Sequence, residues 1–218
     1  MPPASDHRPG PERVLEFPVT LFASVLGWSG LGLAWRQAHA ALGAPNAIGE
    51  VFLIIAALCF LLCAAAYLAK TLLRFEAVKA EFFSPKTMSF FATIAIGMIL
   101  LSAGLTPYST TGASALFLFG AAAQAAIFLT ILNLLIFEPQ TLDSFSPAWF
   151  IPAVGNLAAP IAGAPLDFPE LSWCFFAVGI LFWLLLFAIA MHRLVFGPPL
   201  PGPMLPTLFI LIAPPSVG

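Results

Sequence analysis

From Val51 to Ala69 the chain carries no charged side chain, and the same holds from Thr87 to Phe137 and from Leu171 to Met191. A helix needs about 20 apolar residues to cross the hydrocarbon of a bilayer, and these runs reach or exceed that length. A soluble domain has no way to bury several of them at once. With 61% hydrophobic and 8% charged residues and a mean hydropathy of +1.00, the chain reads as an all-α, polytopic transmembrane helical bundle. A formal net charge of −2 leaves no basic footprint for nucleic acid.

Residues 1–16 form a polar tail with Asp6, Arg8, Glu12, Arg13 and Glu16. It lacks the apolar core of a signal peptide and is expected to be a disordered cytoplasmic lead. Residues 17–218 are expected to form one transmembrane domain. The first span is read over Phe17–Arg36, with Pro18 near the first turn and Trp35–Arg36 at the far interface. Its Gly27, Gly30 and Gly32 either permit close helix approach or leave room for a pore. A loop, Gln37–Asn46, leads to a second, smoothly apolar span over Ala47–Leu73. The charged connection Phe75–Lys86 suits a short amphipathic helix at the membrane surface. The third and fourth spans are placed at Thr87–Pro107 and Ser114–Phe137, with a polar turn at Ser109, Thr110 and Thr111. Gln124 and Asn133 are candidates for hydrogen bonds between helices, each contributing about 1 kcal/mol.

Pro147–Gly163, PAWFIPAVGNLAAPIAG, is apolar but carries Pro147, Pro152 and Pro160 together with Gly155, Asn156 and Gly163. Interior prolines remove helix hydrogen bonds, and the hydrocarbon tolerates the freed carbonyls only where neighbours or water satisfy them. This fifth span is therefore expected inside the bundle, kinked, beside a pore or cavity. A Pro/Gly helix buried for packing alone fits the same pattern. The sixth span, Pro169–His192, is again smooth. Leu205–Gly218 starts a seventh apolar run of a length too short to span.

Spans one, three, five and the start of seven thus carry the Gly, Pro and small polar residues, whereas two, four and six are uniform. The chain reads as a string of hairpins, each with one interior and one exterior helix. Of the 8 Lys and Arg residues, only Arg36 falls opposite the tail, which favours a cytoplasmic amino terminus. Cys59, Cys63 and Cys174 lie within apolar runs as packing residues. Neither metal nor cofactor is expected.

Phe17–Pro18 opening a glycine-bearing helix, Ala34-Trp35-Arg36 closing it, Pro147-Ala148-Trp149-Phe150-Ile151-Pro152 followed by Val154-Gly155-Asn156, and Ala213-Pro214-Pro215-Ser216 together resemble the TehA tellurite-resistance family. That family includes plant slow-type anion channels and C4-dicarboxylate (malate) and sulfite transporters. The resemblance runs from about residue 13 to the end of the sequence and covers the amino-terminal portion of the family plan. It implies ten helices in five hairpins, odd helices around a pore, and homotrimers in the membrane, here a bacterial inner membrane. The remaining part of the seventh helix, the last three helices and the family's pore-plugging aromatic residue would lie beyond Gly218. It also implies Pro18, Gly27, Gly30, Gly97, Pro152, Gly155, Asn156, Pro214 and Pro215 as pore-shaping residues.

No Asp, Glu, Lys or Arg is expected at mid-membrane depth, since Glu50, Lys70, Glu138 and Arg193 all fall near span ends. Proton-coupled carriers place ionisable relays within the membrane. The pattern therefore favours passive conduction of small anions, with proton-coupled transport of C4-dicarboxylates or export of tellurite or sulfite as the alternative. A membrane enzyme would need acid, base, nucleophile or metal groups gathered at one depth, and no such cluster is present in the sequence.

Overall fold

The computed structural model describes residues 17–84, 87–137, 146–197 and 202–212. Every regular element among them is helical: α1 Ala23–Leu42, α2 Asn46–Leu73, α3 Phe75–Phe82, α4 Ala92–Leu105, α5 Thr110–Phe137, α6 Phe150–Gly163 and α7 Pro169–Phe196. Three of these, α1, α4 and α6, are entered through short 3-10 turns at Val19–Phe22, Met88–Phe91 and Pro147–Trp149. A further 3-10 stretch, Gly202–Ile212, packs beside the Pro147–Trp149 turn. The expected surface helix is present as α3, with Glu76 in its first turn and Lys79 in its last.

Several boundaries move from their expected places, each for a local reason. The first helix does not stop at Arg36. Gln37-Ala38-His39-Ala40-Ala41-Leu42 continues it with good helix formers until Gly43, at φ 70°, takes the left-handed conformation and donates to the His39 carbonyl. The expected loop shrinks to Gly43–Pro45. His39 is thereby in the last helical turn, its Nδ1 at 2.6 Å from the Ala44 carbonyl oxygen. Instead of a turn through Thr111, α5 begins at Thr110, where the Ser109 hydroxyl accepts the Gly112 N–H at 3.1 Å as an N-terminal cap.

Inner and outer layers separate by burial. In the Met88–Leu105 segment 72% of the apolar window is buried, against 22%, 33% and 22% in α2, α5 and α7. In α6 all described side chains from Phe150 to Ala159 are buried. The chain folds as three antiparallel hairpins, α1 on α2, α4 on α5 and α6 on α7, with α4 between α1 and α6. Four helices among the described residues are long and apolar enough to cross a membrane: Asn46–Leu73, Met88–Leu105, Thr110–Phe137 and Pro169–Phe196. The other two expected spans fall short of that measure. Arg36, Gln37 and His39 dilute α1, and α6 has only 14 residues.

Close fit replaces the hydrophobic effect as the source of helix association in lipid. At the α1–α2 crossing, a Cβ on Gly32 would lie 2.7 Å from Leu53 Cγ and 3.0 Å from the Gly49 carbonyl oxygen. Between α4, α5, α6 and α7, Ile99, Phe117, Ala121, Ala159 and Ala162 form one fully packed cluster.

Charge pairs close both ends. At the tail-side end Lys70 Nζ meets Glu81 Oε2 at 2.5 Å and donates to the Phe17 carbonyl at 2.9 Å, while Glu81 Oε1 accepts the Val19 N–H at 3.0 Å. Tyr67 donates to the same carboxylate at 3.1 Å. This ties the surface helix α3 beneath the start of the first helix. At the opposite end Arg36 and Glu50 form a bidentate pair, with both N···O distances 2.8 Å.

Candidate functional site

α1 and α6 each pack against α4. Between the three helices lies a half-open cavity of about 810 Å³. Its wall is apolar or small along most of its length: Leu26, Gly27, Gly30 and Ala34 from α1, Ile96, Leu100 and Ala103 from α4, Ala158 and Ile161 from α6. At one end the wall turns polar through Arg36, Gln37 and Thr106, with Pro107 and Pro165 beside them.

The glycines of the first helix fall on different faces. Gly32 is the close-approach residue at α2. Gly27 and Gly30 line the cavity, and a Cβ at either would meet nothing within 4 Å. The remaining sequence candidates lie elsewhere. Pro18 stands at the cap position of the Val19–Phe22 turn, its carbonyl accepting the Leu21 N–H. Gly97 faces Val25 and Phe60, each 3.4 Å from the place of an added Cβ. Gly155 lies against the outer helix, where a Cβ would fall 2.4 Å from Gln124 Nε2. Pro214 and Pro215 lie outside the described residues.

Around Pro152, Gly155 and Asn156 the outer layer is hydrogen-bonded to the inner one. Gln124 of α5, wholly buried, reaches over Gly155 and donates to the Pro152 carbonyl at 2.8 Å. This is the expected interhelical role for that amide, and only a glycine leaves space for it. Further along α6, Pro160 has no N–H to give the Asn156 carbonyl. The Asn156 side chain is 1% exposed and its Nδ2 has no hydrogen-bond partner, as is also true of Gln124 Oε1. Two amide atoms thus stay unpaired in the interior of the bundle beside the broken helix.

Arg36 is the charged one among the described lining residues, and it was not among the sequence candidates. Its Nη1 donates to the Gly104 carbonyl at 2.9 Å, at the carboxyl end of α4 where the helix dipole favours a cation. Its other edge holds Glu50, which also accepts from the Tyr108 hydroxyl at 2.6 Å. That hydrogen bond to a carboxylate holds the exposed Tyr108 phenol above its ordinary titration range. A cation closing a glycine-bearing helix was the available signal, and an interfacial anchor gives the same pattern.

An inner layer of Gly- and Pro-bearing helices beside a cavity, wrapped by an outer layer of longer apolar helices, defines a helical membrane protein built in hairpins. A family model described as voltage-dependent anion channel (SLAC1) matches residues 16–218, and the chain belongs to that family. It is 30% identical over 214 residues to the S-type anion channel SLAH2 of Arabidopsis thaliana, covering 94% of this chain and 41% of that one. It is 27% identical over 180 residues to the tellurite resistance protein TehA homolog of Haemophilus influenzae, covering 81% of this chain and 55% of the relative. The chain therefore spans roughly half the length of these curated relatives, or less.

Proposed function

We propose that this chain supplies part of the wall of a membrane channel that conducts small anions passively, the path running along the cavity between α1, α4 and α6. One observation carries the reading. Among the described residues the cavity is lined by apolar and small side chains with a single charged group, the cation Arg36, and by no carboxylate or histidine that would relay a proton. Weak attraction without a deep binding charge lets an ion enter and leave again. The similarity to the S-type anion channel SLAH2 supports the same direction. The chemistry is transport rather than catalysis, because the cavity wall brings together no acid, base and nucleophile.

The finer features belong to the same proposal. The pore-shaping residues are Gly27 and Gly30 at the cavity, with Pro152, Gly155 and Asn156 setting the course of α6 and Gly97 and Pro18 seating α1. Pro214 and Pro215 are assigned to the pore by resemblance alone. The protein assembles as a homotrimer in a bacterial inner membrane, its amino terminus in the cytoplasm. Lys70, Arg74, Lys79 and Arg193 at the tail-side end, against Arg36 at the other, support that orientation.

The test is anion efflux from proteoliposomes holding the protein and its Gly30→Leu variant. Chloride or nitrate efflux that rises linearly with concentration, ignores a pH gradient and falls several-fold in the variant supports a channel. Saturation at low concentration together with accumulation driven by a proton gradient would establish a carrier instead, of dicarboxylate or of an oxyanion such as tellurite or sulfite.

A further inference from the structure

We propose that Arg36 is an anion-attracting subsite at the mouth of the cavity, and that Glu50 is the positioning residue that holds it there and moderates its charge. The inference rests on the channel reading and adds to it a residue that concentrates the ion.

The argument begins with how the two charges are placed. Arg36 lines the cavity whereas Glu50 does not. The carboxylate sits in the first turns of α2, in the outer layer, and grips the Nε and Nη2 edge of the guanidinium. Nη1 is fixed on the other side by the Gly104 carbonyl at 2.9 Å and more loosely by that of Ala103 at 3.5 Å. A planar guanidinium clamped along two edges keeps one orientation, which a flexible lysine would not. The positive partner thus faces the cavity and the negative partner stands behind it. An ion at the mouth is nearer the cation, and the net field there favours anions although the pair as a whole is neutral.

A pair made only to join α1 to α2 would need neither this asymmetry nor access. The side chains of Arg36 and Glu50 remain 16% and 21% exposed, so an ion at the mouth can sense the guanidinium through water. Among the described residues the remainder of the wall offers no competing charge, since the other lining residues are neutral. Tyr108 adds a third contact to Glu50 from the loop between α4 and α5, and its ring lies 5.9 Å from the guanidinium carbon. The carboxylate is thereby held from two sides.

A unit charge about 6 Å from an ion in a water-filled mouth changes the local ion concentration by about threefold. Salt screens such a field over about 10 Å at 0.1 M, so the effect belongs to low ionic strength. The full-length protein and its Arg36→Gln, Arg36→Lys, Glu50→Gln and Arg36→Gln/Glu50→Gln variants are reconstituted in planar bilayers under a potassium chloride gradient. Chloride conductance and the reversal potential are read at low and at high salt.

The expected pattern is a roughly threefold loss of chloride conductance for Arg36→Gln and a smaller rise for Glu50→Gln, whose charge is farther from the ion. Arg36→Lys keeps part of the conductance, the double variant falls between Arg36→Gln and the wild type, and all differences shrink at high salt. If Arg36→Gln does not yield monodisperse protein, Glu50→Gln decides: a rise in chloride preference supports the subsite, and an unchanged or reduced preference overturns it. Wild-type conductance with both variants unchanged, or changed in the same direction, overturns the subsite and leaves the channel intact. A wild-type protein that passes no anion current overturns the channel reading itself.

Discussion

The contact of Gln124 with Pro152 across Gly155 gives the sharpest test of how the inner helix is held. Replacing Gly155 with alanine puts a Cβ 2.4 Å from Gln124 Nε2, 2.6 Å from Cδ and 2.8 Å from Oε1. The amide has to leave, and the 2.8 Å bond to the Pro152 carbonyl goes with it. Two terms then oppose one another. Alanine in place of glycine gains about 1 kcal/mol of helix propensity. Losing the partner of a buried amide costs about 1–3 kcal/mol, with interhelical bonds in membranes at the lower end of such values. These two terms nearly cancel, and the net expectation for Gly155→Ala is a loss on the order of 1 kcal/mol that comes from the steric term. In a Gln124→Ala background the obstruction and the bond are both absent, so Gly155→Ala should be neutral or stabilising. The assay is thermal unfolding in detergent of the wild type, both single variants and the double variant, read as a double-mutant cycle. A Gly155→Ala effect of equal size in the two backgrounds would refute the reasoning.

Three further expectations follow from the ends of the bundle. Lys70→Ala leaves the Glu81 carboxylate, 13% exposed, without its cation; a loss of roughly 3 kcal/mol is expected, and Lys70→Ala/Glu81→Gln should recover most of it in the same melts. Ultraviolet titration of the wild type against Tyr108→Phe isolates one of only two tyrosines, and its midpoint should lie above the usual value of about 10. Because that folded-state pKa is raised by the bond to Glu50, the stabilisation it brings is complete below the unfolded pKa and fades as pH rises through the folded one; a midpoint at or below the usual value would contradict the hydrogen bond. Gly30→Leu, which meets no neighbour within 4 Å of its Cβ, should fold normally while reducing anion efflux, so a variant that unfolds would place Gly30 in a packed interface.

The layering was legible because glycine and proline report where a helix can and cannot face lipid. Uniform runs such as Ala47–Leu73 gave the outer helices, and the Pro147–Gly163 pattern gave a buried inner one. The direction in which each glycine faces was not legible. Gly27, Gly30 and Gly32 differ by 3 and 2 positions, yet one meets Leu53 and the others meet open space. That outcome depends on which helix arrives alongside, and the sequence of α1 carries no record of α2's register. Gly97 and Gly155 were legible as special positions for the same reason, but not as the seats of Phe60 and Gln124. The charge pairs were half visible: Arg36, Glu50, Lys70 and Glu81 stood at element ends, and their partners required the hairpin geometry. Arg36 was read as an anchor because its place at the cavity follows from the convergence of α1 with α4.

The shortfall in apolar length of α1 and α6 bears on how the protein enters the bilayer. A segment that partitions weakly by itself is retained when its successor arrives to cover its polar backbone, so each such inner helix and the outer helix after it are expected to insert as a pair. The hairpin is then the unit of biogenesis as well as of architecture. Chains halted after Leu42 or Gly163 should leave the last helix extractable by alkali, whereas chains halted after Leu73 or Phe196 should hold it firmly. Firm retention of α1 or α6 before its partner emerges would separate the two. The Pro/Gly composition that shapes the path through the finished protein is thereby bought with dependence, during synthesis, on the helix that follows.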